Sequence, residues 1–175
     1  MKTIEAVDQV KSVIPNAIIH EECTYDQMTI EIHKEAMLPT FKLLKETGFK
    51  VLMDLTGIDY LQPKEGTKIL YWLHNPSNYQ RLRVFVFVHR DESLPSVTQF
   101  WRGADWYERE LFDMFGVHFE DHPDLKRILM PDDWVGHPMR KNYPLTEVPV
   151  QFKHGVKPKI PSEIIPYVTA EPKAT

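Results

Sequence analysis

The sequence predicts an α+β fold: a mostly antiparallel sheet with helices packed on one face, followed by an extended Pro-rich C-terminal arm. Three observations lead there. Apolar residues recur at helical spacing in three separate segments. Strand patterns lie between those segments and include two hairpins, in the order α-β-β-α-β-β-β-α. After Gly116 the texture changes, and nine of the 14 prolines lie beyond that glycine.

The first helix covers about Thr3 to Ile14. Ile4, Val7, Val10 and Ile14 share a face there, and Pro15 stops the run. Ala17 to Thr24 and Met28 to Lys34 follow as strands. In the second, Met28, Ile30 and Ile32 alternate with Thr29, Glu31 and His33, and Tyr25-Asp26-Gln27 makes the turn. A second helix runs from about Leu38 to Thr47. Pro39 sits in its first turn, where a missing N–H costs nothing, and Gly48 caps its end. Phe49 to Tyr60 reads as a strand that changes character near Thr56-Gly57.

Thr67 to His74 and Arg81 to His89 form the second hairpin, and the latter strand is β-branched and aromatic. A short helical turn is expected near Pro95 to Trp101. A third helix is expected from about Ala104 to Phe115, ended by Gly116. The tail from Pro144 keeps Val148, Val150, Phe152, Ile160, Ile164, Ile165 and Tyr167, too many apolar groups for a free linker. It either lies on another surface or folds back on its own domain. The expected division is an α+β domain over 1–145 and an arm over 146–175.

The 175 residues are 42% hydrophobic and 26% charged, enough for one compact domain with a core of ordinary size. A net charge of −4 argues against sequence-independent nucleic-acid binding, which needs clustered Lys and Arg. The single cysteine, Cys23, excludes an intramolecular disulfide. One thiol also cannot hold an iron–sulfur cluster or a cysteine-rich zinc site. No run reaches the roughly 20 apolar residues that span a bilayer. The acidic N-terminus MKTIEAVDQV has no apolar signal region, so membrane association is expected only through partners.

The densest chemical cluster lies on the third helix. Asp105, Arg109 and Asp113 follow one another at intervals of four and share a face, so Arg109 can pair with an acid on either side. Tyr107, Leu111, Met114 and Phe115 form the opposite, core-facing stripe. The charged face is either solvated or docks on another protein. Adjacent helical carboxylates do not flank a substrate, so glycosidase chemistry is not expected. His118, Asp121, His122 and Asp124 read as a loop. A metal site there would need a further convergent ligand, and hydrogen-bonding histidines are the alternative. The basic pairs Lys126-Arg127 and Arg140-Lys141 read as solvated loop charges. Neither the dinucleotide fingerprint, nor a Walker motif, nor a nucleophile elbow is present.

The stretch from Glu108 to Leu129 resembles the signature of the C-type subunits of complex I, the 30 kDa subunit family of NADH:quinone oxidoreductases. That pattern is E-R-E, two residues, an acid, two apolar residues, a six-residue gap and a His or Lys. Three residues later come a basic and two apolar positions around one variable residue. Glu108, Arg109, Glu110, Asp113, Met114, Phe115, His122, Lys126, Ile128 and Leu129 satisfy every position. The resemblance covers about Asp54 to Leu145. It includes Asp54-Leu55-Thr56-Gly57-Ile58-Asp59-Tyr60, Met130-Pro131-Asp132-Asp133-Trp134 and Gly136-His137-Pro138-Met139-Arg140-Lys141-Asn142-Tyr143. Met139 and Asn142 depart from the family's usual Leu and Asp.

The resemblance implies a cofactor-free structural subunit of the peripheral arm of a proton-translocating NADH:quinone oxidoreductase. FMN and iron–sulfur clusters are then expected in partner subunits, and the isolated chain is not itself catalytic. Partners implied are a D-type subunit, which helps form the quinone site, and a B-type subunit, which carries the terminal cluster. The chain is expected on the cytoplasmic side of a cell inner membrane, or the matrix or stroma side in an organelle. The signature residues, with Arg140 and Lys141, become the expected contact surface, and the arm a segment lying on partners. Two alternatives stand beside this reading. One is the equivalent subunit of a sister complex, a membrane-bound hydrogenase or a plastid or archaeal NDH-like complex. The other is a stand-alone metal-dependent enzyme using His118 and His122.

Overall fold

The computed structural model of the chain describes residues 3–25, 27–62, 65–90 and 92–143. The expected arm over 146–175 lies outside the described residues. Helix α1 spans Thr3–Val13, and strands β1, Ile18–Thr24, and β2, Gln27–Ile32, form the first hairpin. A 3-10 turn, Lys34–Ala36, leads into α2, Met37–Glu46. Strands β3, Val51–Tyr60, β4, Gly66–Asn75, and β5, Gln80–His89, form an antiparallel meander. Then come β6, Ser93–Pro95, α3, Ala104–Phe115, and β7, His118–Glu120.

The main sheet has five strands in the order β1-β2-β5-β4-β3. Every neighbouring pair is antiparallel except β2 and β5, which run parallel with Ile30 opposite Val84. That crossover follows from α2, β3 and β4 being inserted between the two strands, so β5 returns to the sheet in the direction of β2. The fold is thus α+β with a mixed, mostly antiparallel sheet, as the strand patterns predict.

Alternation decides which face is covered. Ile69, Tyr71 and Leu73 of β4 and Leu82, Val84, Val86 and Val88 of β5 are buried on one face. Against them pack Ala6, Val7 and Val10 of α1, Met37, Phe41 and Leu44 of α2, and Leu111 and Phe115 of α3. The Phe41 ring lies 4.7 Å from Tyr71 and 5.6 Å from Trp101, centroid to centroid. Gly57 admits α3 close to β3: a Cβ there would stand 3.0 Å from Leu111 and 3.3 Å from Phe115. The change of character near Thr56-Gly57 is therefore a packing site for the helix.

Two short segments differ from expectation. The helical turn expected near Pro95 to Trp101 begins instead as strand β6, which pairs in parallel with β7. Ser96 N–H then donates to the Glu120 carbonyl at 2.8 Å. Backbone groups committed to a neighbouring strand cannot close helical bonds, so only the turn from Val97 to Trp101 remains. For the same reason His118 lies on a strand rather than in a loop. No helix among the described residues is long and apolar enough to cross a membrane.

Candidate functional site

The site is built where α3 ends and the chain from Asp121 to Tyr143 wraps around it. Gly116 takes the left-handed conformation, φ +71°, and its N–H donates to the Phe112 carbonyl at 2.9 Å. The last carbonyls of a helix have no partner within it and carry its negative dipole end. Here the wrapping chain supplies the donors. Met139 N–H donates to the Met114 carbonyl at 2.9 Å, and His137 Nδ1 lies 3.0 Å from the Asp113 carbonyl. Arg140 donates to the Phe115 carbonyl at 2.5 Å and to the Gly116 carbonyl at 3.1 Å. A Cβ on Gly116 would collide with the Arg140 guanidinium and the His137 ring, so both the φ and the crowding require glycine.

Asp113 is the centre of this wrap. It is fully buried. Its Oδ2 accepts three consecutive backbone N–H groups, Ile128 at 3.1 Å, Leu129 at 2.8 Å and Met130 at 2.8 Å. Its Oδ1 takes Arg127 Nη1 at 2.5 Å. Burial alone would raise the carboxyl's pKa. The N–H of Met130, the Arg127 guanidinium and the N–H groups of Leu129 and Ile128 outweigh it and hold the group below its usual range. Arg127 also donates to the carbonyls of Trp134 at 2.9 Å and Gly136 at 3.1 Å. One ion pair thus gathers Ile128 to Gly136 onto the helix. His137, wedged beside Arg140 and Arg127, is pushed toward its neutral form, first by burial and then by those cations.

A second buried acid secures the other side of α3. Glu108 is 0% exposed, and it accepts Val97 N–H at 2.8 Å and Ser96 Oγ–H at 2.7 Å. With no cation bonded to it, desolvation pushes its pKa up to about 7. His122, its side chain equally buried, stands 3.8 Å away. The Asp124 N–H donates to His122 Nδ1 at 3.1 Å, which leaves the ring hydrogen on Nε2. Nε2 lies 3.2 Å from both the carbonyl oxygen and Oδ1 of Asp105, and its hydrogen is directed at the carbonyl.

A third acid, Asp59 at the end of β3, anchors the far end of the wrap. It is buried, pairs with Arg90 at 2.8 Å, and accepts Lys141 N–H at 2.8 Å. The Lys141 ammonium stands 5.8 Å over the Tyr60 ring.

The signature residues therefore separate by depth. Glu108, Asp113, Phe115 and the His122 side chain are buried, and Met114, Ile128 and Arg140 are half-buried. Glu110, Lys126, Leu129 and Lys141 are exposed. Arg109 does not pair with an acid on its own helix. It donates to the carbonyls of Lys126 at 3.1 Å and Arg127 at 3.0 Å and lies 5.2 Å from the Trp106 ring. Asp105 and Asp113 face other partners, because the wrap reaches them first. The basic pairs are not both solvated: Lys126 pairs with Asp124 at 2.9 Å on the surface, while Arg127 and Arg140 turn inward. Arg127 stands at the variable position of the motif, and Asp59 and Arg90 lie far from it in sequence, so motif spacing does not reveal them. His118 is exposed on β7 and both ring nitrogens of His122 are engaged. Among the described residues no group of three or more His, Cys, Asp or Glu side chains is arranged to hold a metal ion.

Comparison with known proteins matches this arrangement to one family. Residues 30–149 match the family model described as respiratory-chain NADH dehydrogenase, 30 kDa subunit. The chain is 42% identical over 144 residues to the C-type subunit of NADH-quinone oxidoreductase from Citrifermentans bemidjiense, covering 80% of this chain and 88% of that one. It is 36% identical to the longer C/D-type subunit of NADH-quinone oxidoreductase from Shewanella woodyi, over 82% of this chain and 26% of that protein. The structure of a trypsin-resistant fragment of Nqo5 superposes with a TM-score of 0.63 at 28% identity, over 71% of this chain and all of the fragment. A chain of the archaeal membrane-bound sulfane sulfur reductase shares the fold, with a TM-score of 0.72 at 22% identity over 82% of this chain and 86% of that one. The chain belongs to the 30 kDa subunit family of respiratory-chain NADH dehydrogenases, as a C-type subunit of NADH:quinone oxidoreductase.

Proposed function

We propose that the chain is a structural subunit of the peripheral arm, without a cofactor of its own. It supports transfer of electrons from NADH, through FMN and iron–sulfur clusters in other subunits, to quinone. The observation that carries this reading is where the signature's charges point. Glu108, Asp113, Arg109 and Arg140 are bonded to this chain's own backbone and to Arg127, which suits holding a surface in shape rather than handling a substrate. The single cysteine accords with clusters residing elsewhere.

The partner expected first is a D-type subunit, because the Shewanella woodyi relative joins C and D in one protein. A B-type subunit is the second. Membrane attachment then comes through the assembly, on the cytoplasmic side of a cell inner membrane or the equivalent side in an organelle. Residues 1–145 form the domain, and 146–175 an arm lying on partner subunits.

Affinity purification of the tagged chain from gently solubilised source membranes tests this. Flavin, iron–sulfur clusters and NADH-dependent quinone reduction should arrive together with D-type and B-type subunits. Recovery of a hydrogenase or a sulfur-reducing module would move the chain to a sister complex, a second reading that the fold shared with the sulfane sulfur reductase keeps open. A chain recovered alone would sink both.

A further inference from the structure

We infer that the face of the main sheet turned away from the helices docks a second, different polypeptide, one that presents a carboxylate within an apolar surface. The inference rests on the subunit reading above and goes beyond it, since that reading names no surface of the sheet. The strand register places the side chains of this face together. Leu70 of β4 stands opposite Phe85 of β5 and Thr56 of β3. Lys68 stands opposite Phe87 and Ile58, and Trp72 opposite Arg83 and Asp54. Residues paired across neighbouring strands share a face, about 5 Å apart. Leu70, Trp72, Phe85 and Phe87 are partly buried and do not pack on the core beneath the helices. At the β3 margin of the same face, Val51 and Ile58 are 40% and 41% exposed. A sheet face left to water alternates to polar residues. This one carries a leucine, a tryptophan and two phenylalanines at adjoining positions, the composition of an interface centre.

One charge on this face selects the occupant. The partly buried cations Lys68, Arg90 and Arg127 are each held by a carboxylate, from Glu31, Asp59 and Asp113. Arg83 pairs with no carboxylate among the described residues, and its guanidinium lies 5.8 Å from the Trp72 ring centre. Neither its Nε nor Trp72 Nε1 has an acceptor, although both atoms are shielded from solvent. A guanidinium stacked on a ring is held in one geometry, and its terminal N–H groups suit a carboxylate. The acids nearest in register are engaged already: Glu31 with Lys68 at 2.5 Å, and Asp54 with the Leu55 N–H at 2.9 Å. Nucleic acid would need several such cations side by side. The chain's own tail is the poorer match in charge, carrying Glu147, Glu163 and Glu171 against Lys153, Lys157, Lys159 and Lys173. A second copy related by a two-fold axis through this face would bring like charges together at the axis. A different protein with Asp or Glu opposite Arg83 answers the charge and covers the rings.

The test is made in the assembled complex. A photoreactive benzophenone side chain replaces Phe87, or as a control Ser12, which is exposed on α1, and the peptide captured on illumination is sequenced. The Phe87 position should capture one segment of a different subunit, containing Asp or Glu, and the Ser12 position should not. Arg83→Glu should lower recovery of the assembled complex about tenfold, with the melting temperature of the isolated full-length chain unchanged. Replacing the captured acid by arginine should restore assembly of that variant. No capture at Phe87 in a complex that contains the chain and reduces quinone with NADH overturns the docking face and leaves the subunit reading intact. Capture of residues 144–175 or of a second copy overturns the proposed occupant. Unimpaired assembly of Arg83→Glu overturns the carboxylate, and a matching loss of melting temperature would make Arg83 a fold residue and overturn it as well. A chain that joins no complex overturns the subunit reading and this proposal together.

Discussion

The half of the molecule formed by α1, α2 and the sheet differs in kind from the half formed by α3 and the wrap that follows it. The first is held by alternation: Phe41, Tyr71, Leu82 and Val84 fill a dry layer between helices and strands. The wrap beyond β7, from Asp121 to Tyr143, has no helix or strand. Two buried acids, Asp113 and Asp59, hold its middle and its far end through backbone N–H groups and arginines, while Glu108 ties the segment at Ser96 and Val97 to the other side of α3. Apolar packing spreads its stabilisation over many contacts. The wrap concentrates it in a few polar atoms, so single substitutions there should act strongly and locally.

The sharpest break comes at Asp113. Asp113→Ala leaves Arg127 as a buried, unpaired charge and orphans three N–H groups at once. The expected cost is about 3–5 kcal/mol. Phe41→Ala removes a buried ring at a comparable cost of about 3–5 kcal/mol. The two losses should look different. Phe41→Ala lowers the cooperative urea transition as a whole, whereas Asp113→Ala opens the wrap and exposes Arg127, Arg140 and Lys141 to trypsin while the sheet core persists. Tryptic cleavage appearing at the same rate in both variants would erase the contrast.

Glu108 sharpens the comparison through pH. Its folded-state pKa is raised from 4.5 to about 7 by burial. The folded chain therefore binds more protons than the unfolded chain across that window, and stability falls as pH rises through it. The contribution is complete below about 4.5 and lost above about 7, a swing on the order of 3 kcal/mol. Asp113 acts in the opposite sense, its depressed pKa giving stability that is lost as the pH falls toward its own low value. Comparing wild type with Glu108→Gln at pH 5.5 and 8.5 isolates the first effect. Glutamine should gain on the wild type as the pH rises. Parallel stabilities at both pH values would show that Glu108 does not titrate in the fold.

These differences also explain what was legible in the sequence. Strands β4 and β5 are legible from strand-forming composition, β-branched and aromatic in β5, on either side of a turn, and α3 because Gly116 ends it. The parallel pairing of β2 with β5 was not, since strand patterns carry no direction. The three-residue strands β6 and β7 are too short to show a period. Burial of Glu108 and Asp113 was invisible for a different reason. Helical spacing sorts side chains by polarity, and a carboxylate counts as outward-facing until its donors are known. Those donors come from Val97 and from 128–130, segments without periodicity of their own.

Arg109→Ala should cost less than either acid, about 1.5–3 kcal/mol, because two charge-assisted bonds to carbonyls are lost and no charge is left buried. The loss should appear chiefly as weaker assembly, since the Lys126 and Arg127 carbonyls it releases belong to the wrap and not to the core. Loss of the whole urea transition in the isolated chain would instead place Arg109 among the residues that hold the fold.

Lys126 and Arg127 give the smallest effect and its control side by side. Lys126 occupies the basic position of the family signature, yet its side chain is 68% exposed and pairs with Asp124, itself 59% exposed. Such a pair gains little in water. Arg127, at the variable position beside it, is 14% exposed and bonded to Asp113 and two carbonyls. Lys126→Ala should leave melting temperature and trypsin resistance unchanged, while Arg127→Ala should match Asp113→Ala in opening the wrap. If Lys126→Ala nonetheless lowers recovery of the assembled complex, the signature lysine acts on a partner and the neighbouring arginine acts on the fold. If the two substitutions instead destabilise the isolated chain equally, the division between an outward and an inward basic residue fails, and with it the view that the wrap is anchored by Asp113.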